Sequence, residues 1–233
     1  MKIILSRVDD AKKYSKKWVI GYALLFWLTT RILSVLLVVV CTMIYEHLGY
    51  NKEMFPTFGG VPQEAHTMGQ LLYSLAKVAV IVPLLGELVF RLGLSFKKWQ
   101  VALGLACIPI YIAWSYFRPE SWVGGLLYAV IAIIIYFTVE KFTTQELWDK
   151  LKSRWLIASM WITSLAFGLV HLHSFSFLTW QLLPYALCMI SSTFFMGCAC
   201  AYLRVNIGFW WGLGMHVFSN IPGMFTIILM SLH

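Results

Sequence analysis

Three pairs of residues, each four positions apart, sit inside otherwise apolar stretches: Glu87 with Arg91, Phe167 with His171, and His216 with Asn220. On a helix that spacing puts both members on one face. A carboxylate and a histidine can hold a water and take its proton. A second histidine and an asparagine can donate hydrogen bonds to a developing oxyanion. Together these residue types make a hydrolytic site conceivable. The spacing is equally that of an internal Glu–Arg ion pair and of histidines that bond between helices.

The elements that must carry these residues are set by composition. Hydrophobic residues make up 60% of the 233 positions and charged residues 12%, which a soluble fold of this size cannot hide from water. An all-α, polytopic transmembrane bundle is expected. A soluble enzyme, a disordered chain and a membrane β-barrel of alternating strands are excluded. Seven apolar stretches approach the length of about 20 residues that a span needs: 18–45, 68–90, 101–117, 122–139, 155–172, 177–203 and 207–232. They form one domain, 18–233, after a basic segment, 1–17. The segment 140–154 alternates charged and apolar residues at helical spacing and is expected to lie along the headgroups.

Positive charge sets the orientation. With the N-terminus in the cytoplasm, 14 of the 18 Lys and Arg residues fall inside, among them Arg204, and only Lys52 and Arg118 outside; basic residues stay with the cytoplasmic loops. The net charge of +8 therefore reads as juxtamembrane charge against anionic lipid, with no nucleic-acid partner. Arg31 and Lys77 fall within spans, where Arg31 is a candidate partner for Glu87. Glu64 and His66 lie in an outer loop, and His173 faces away from His171. The odd cysteine count argues against a disulfide framework, and Cys198-x-Cys200 reads as packing.

The segments PLLGELVFR, AFGLVH and GMHVFSN, in that order, resemble the three motifs of the CPBP (Abi) family. These are intramembrane proteases related to the CAAX prenyl endopeptidases and to bacteriocin-processing and self-immunity proteins. The resemblance covers roughly 68–232, with helices inserted at about 92–154. It implies that Glu87 matches the family's second glutamate and Arg91 its arginine. It also implies that His171 helps activate water, and that His216 and Asn220 form the oxyanion hole. The family's first glutamate, the principal base, is Gly86 here.

Two readings follow. Glu87 takes over as base of an intramembrane endopeptidase acting on a peptide or membrane-protein substrate, in a bacterial cytoplasmic membrane. Alternatively, the chain is a catalytically inactive scaffold or regulator, as in bacteriocin immunity. A third class, a transporter or channel, is opposed by the lack of an internal repeat or paired broken helices. Zinc or another divalent metal is left open, with Glu87, His171 and His216 as its candidate ligands. For the residues to meet, the second helix is expected to run on through Arg91 and Lys97 to Trp99. Glu87, His171, His216 and Asn220 then lie ~14–24 Å from the inner end at helical rise, within a band that helix tilt can bridge.

Overall fold

The computed structural model describes residues 15–50, 67–117, 122–175 and 179–231; Lys52, Glu64, His66, Arg118, most of the basic segment 1–17 and the side chain of His173 lie outside this description. Among the described residues every regular element is helical. The helices are α1 (Lys16–His47), α2 (Met68–Phe90), α3 (Lys98–Ile112), α4 (Trp122–Phe142), α5 (Gln145–Val170), α6 (Leu183–Asn206), α7 (Phe209–Ser219) and α8 (Ile221–Met230). Among the described residues six spans are long and apolar enough to cross a membrane, α7 and α8 counting as one. The seventh member of the bundle, α3, is a 15-residue helix continued by a π turn, Ala113–Phe117. The chain is thus a multi-pass membrane protein.

Local chemistry starts the helices where they start. Thr67 and Gln70 form a reciprocal capping box at the head of α2, which satisfies donors that a helix end leaves orphaned. Thr144 accepts from Leu147 N at the head of α5. That helix runs unbroken from Gln145 to Val170. The segment expected along the headgroups is therefore in large part its first turns.

The core is built by α2, α5, α6 and α7, with α1 packed along α6. The pairs Arg31–Ser192, Ser34–Ser191 and Tyr45–Gln181 climb α1 while descending α6 and the 3-10 turn, Trp180–Leu182, that leads into it, so the two helices are antiparallel. The hairpin of α3 and α4 sits at the edge: α4 packs chiefly on α3, and much of its remaining apolar surface is exposed.

Two spans are interrupted. Within α2, Lys77–Ile81 is a π turn, and the last span breaks between α7 and α8 at Asn220, with Pro222 opening α8. The sequence pattern showed neither break, so the lack of paired broken helices, one ground for opposing a transporter or channel, does not hold in the structure. Nor does α2 continue to Trp99. It ends at Phe90 and passes into a 3-10 turn, Leu92–Ser95, and then into Phe96 at φ 57. That left-handed geometry is uncommon for a bulky residue. It is held by Gln145, whose amide donates to Phe96 O (3.0 Å) while its oxygen accepts from Lys98 N (2.9 Å). Lys98 also pairs with Glu140 at 3.2 Å, tying the ends of α4 and α5 to this turn.

Arg204 closes the end of α2 from the opposite side. Its guanidinium donates to Arg91 O (3.1 Å), Leu92 O (3.0 Å) and Gln100 Oε1 (2.6 Å). A cation on the exposed carbonyls of a helix end satisfies the acceptors and complements the dipole. Counted from sequence only as an inner-side charge, Arg204 serves as a buried clamp between α6 and α2. Arg204→Met should therefore lower stability by about 2–4 kcal/mol, because buried acceptors lose charged donors. Thermal unfolding of the purified protein in detergent checks this.

Candidate functional site

Where α2, α5, α6 and α7 meet, the structure brings Glu87, Arg91, Phe167 and His216 together. Glu87 and Arg91 are 0% exposed and His216 is 3% exposed. The Glu87 carboxylate accepts from His216 Nδ1 at 3.0 Å, and the Arg91 guanidinium lies 3.6 Å from the same oxygen. Since a carboxylate accepts, the imidazole carries its proton on Nδ1. The Arg91 guanidinium also sits 4.0 Å over the Phe167 ring centroid and 5.5 Å from that of Phe90, a cation–π arrangement that strengthens when water is excluded.

Phe167 stands between the two histidines. Its ring centroid is 5.3 Å from that of His216, edge to face, and 4.8 Å from that of His171. The His171 Nδ1 donates back to Phe167 O at 2.7 Å, one helical turn below. Phe167, expected only as packing under His171, is therefore the common wall of both imidazoles and the platform of Arg91. It lies ~18 Å along α5 from Trp155 at helical rise, well inside the apolar layer.

Asn220 goes elsewhere. Its amide donates to Val78 O at 3.0 Å, a carbonyl of the π turn in α2. Backbone groups freed by a π turn or a helix break must find partners inside a membrane. The asparagine thus stitches the two interrupted spans to each other. Arg31 donates to Ser192 Oγ (2.9 Å), so Glu87 takes its cation from Arg91.

The candidate metal ligands do not converge. Among the described residues no group of three or more His, Cys, Asp or Glu is placed to hold a metal ion. Glu87 is engaged by His216 and faces a guanidinium, while His171 Nδ1 is committed to Phe167 O across the ring. A cation would have to displace Arg91 or share its space.

Small residues make the cluster possible. A Cβ on Gly197 would lie 2.6 Å from Arg91 Nη2, and one on Gly212 would lie 3.3 Å from Glu87 Oε2 and 3.0 Å from Cys200 O. A Cβ on Gly86 would meet His216 Cε1 at 3.3 Å and Phe167 Cε2 at 3.4 Å. Position 86 therefore borders the imidazole directly. The run Gly197–Cys198–Ala199–Cys200–Ala201 was the available signal for this close approach, since small residues let membrane helices near one another. All five cysteines are free, and Cys200 is buried beside Met196 (3.5 Å).

No family model, no curated protein and no solved structure matches this chain.

The pair is costly to break and cheap to replace as a whole. Glu87 Oε2 and the Arg91 Nε, Nη1 and Nη2 have no hydrogen-bond partner among the described residues. Glu87→Leu alone should cost about 3–5 kcal/mol by stranding the Arg91 charge, and the double variant with Arg91→Met should regain most of it. Gly197→Ala should cost about 1–3 kcal/mol by forcing Arg91 off Phe167. Unfolding curves of the three variants in one detergent measure both effects.

Proposed function

We propose that the chain is an intramembrane endopeptidase resembling the CPBP proteases, with His216 as its base and Glu87 as the carboxylate that orients it. The observation that carries this is the buried 3.0 Å contact between Glu87 and His216 Nδ1. An ionisable pair at lipid depth is costly and is a functional site by default. With Nδ1–H held on the carboxylate, Nε2 is the acceptor that takes a proton from water, as in carboxylate–histidine pairs elsewhere. The proton later passes from Nε2 to the leaving amine. Arg91 balances the charge of Glu87 and holds its oxygen toward the ring. This assignment moves the base from Glu87 to His216 and removes the need for a glutamate at Gly86. Its setting is the bacterial cytoplasmic membrane, and its substrate a peptide or membrane protein.

One observation favours a second reading. Gly86 offers no carboxylate, and Glu87 and Arg91 are wholly buried. A non-catalytic relative that binds and regulates a membrane partner would look the same.

Cleavage of a mixed peptide and membrane-peptide library by the purified protein in detergent separates the two. The wild type should cut, and His216→Ala and Glu87→Gln should each lose about 10²-fold or more, the scale of general-base catalysis. His171→Ala should also lower the rate. Cutting that survives His216→Ala would remove the base assignment. A silent wild type beside an active Gly86→Glu variant would make the chain a site without its base, and the regulatory reading would stand.

A further inference from the structure

Arg31 occupies a position that the hydrolytic site does not use. It lies ~22 Å from Lys16 and ~24 Å from His47 at helical rise, the midpoint of a helix longer than the bilayer core. Its partner on α6, Ser192, is ~14 Å from Leu183 and ~21 Å from Asn206 by the same rise. Both helices thus put this guanidinium near mid-depth. It is exposed at the surface of the bundle, and its neighbours Leu28, Ile32, Leu33, Val35 and Leu36 are each at least half exposed. That surface is the one facing lipid.

A charge at that depth needs neutralising, because lipid tails cannot solvate it. Among the described residues its polar partner is a neutral hydroxyl, Ser192 Oγ at 2.9 Å, while the ion pairs lie at Glu87 and Glu140. The headgroup layers are ~15 Å away on either side of mid-depth, beyond the length of an arginine stem. A second copy of the chain brings no matching acid: the described Asp and Glu residues, Glu46, Glu87, Glu140, Glu146 and Asp149, all lie within about one turn of a helix end, and Glu87 is fully buried. Beside Arg31 the seam between α1 and α6 is lined by Ser34, Ser191 and Ser192, with Ser191 donating to Ser34 (2.9 Å). Small hydroxyl residues allow close helix approach and lend hydrogen bonds across it.

We propose that this seam is a docking face for a transmembrane helix of another protein, carrying an Asp or Glu at mid-bilayer depth that pairs with Arg31. A carboxylate fits the planar guanidinium fork in two parallel hydrogen bonds, and Ser192 leaves the fork's other donors available for it. The face is independent of the catalytic proposal and holds whether or not the chain cuts peptides.

The test uses the full-length protein in phosphatidylcholine vesicles. A labelled polyleucine transmembrane peptide bearing one central Asp is compared with the same peptide bearing Asn or Leu there. Energy transfer should report association about tenfold tighter for Asp than for Leu, the scale of a polar interhelical contact in a membrane. Arg31→Leu should level the peptides, and Arg31→Lys should keep part of the preference. Should Arg31→Leu fail to elute and melt like the wild type, Arg31→Gln, which keeps a donor toward Ser192, takes its place. Equal binding of the peptides, or a preference that survives Arg31→Leu, overturns the proposal. So does loss of the preference when phosphatidylglycerol is added, which would make lipid phosphate the occupant. Arg31-dependent self-association without peptide would assign the face to a second copy, and equally overturns it.

Discussion

An ionised glutamate buried among apolar helices has nowhere to send its charge except to partners brought by the fold. In this chain the partners are Arg91, one turn along the same helix, and His216 from α7, 3.0 Å away. Much of the surrounding core reads as the means of keeping that arrangement. Gly197 leaves the space that the guanidinium fills, Gly212 leaves space beside the carboxylate, and Phe167 supplies the ring on which the guanidinium rests. Replacing such a cluster by hydrocarbon would often be neutral for stability. Its presence therefore points to what it does rather than to how the bundle holds together.

The same constraint explains where the helices break. A chain that ends a helix inside a bundle leaves carbonyls without donors. The end of α2 is met by Arg204 reaching across from α6. The π turn of α2 is met by Asn220, at the break between α7 and α8. In each case a long polar side chain from a neighbouring helix replaces the missing backbone bond. The interruptions are thus stitched in pairs, and they fix how far α2 and α7 can slide past each other. That register is what holds Glu87 opposite His216.

Two arginines in apolar surroundings are treated in opposite ways. Arg91 is sealed inside, with its own carboxylate and two aromatic rings. Arg31 stands at the lipid-facing seam between α1 and α6, held only by a serine hydroxyl among the described residues. The physical cost of charge in hydrocarbon is the same in both places. The bundle resolves it internally in one case and leaves it on the surface in the other.

Composition and apolar run lengths alone determined the class: an all-α transmembrane bundle, read as about seven spans, because nothing else can bury so much hydrocarbon. Spacing alone picked out Glu87, Arg91, Phe167, His171 and His216, because residues four apart share a helix face. Tertiary structure decided the rest. Asn220 stands out in the sequence because it lies four residues after His216, and only the fold shows that the helix breaks there and that its amide donates to Val78 O. Arg204 counts in the sequence only as a basic charge, because hydropathy cannot see which carbonyls a neighbouring helix leaves bare. Metal ligation by Glu87, His171 and His216 looked open because sequence cannot show that Phe167 stands between the histidines. Such relations depend on the register of one helix against another, and that register is set by close packing across the bundle rather than by any pattern along the chain.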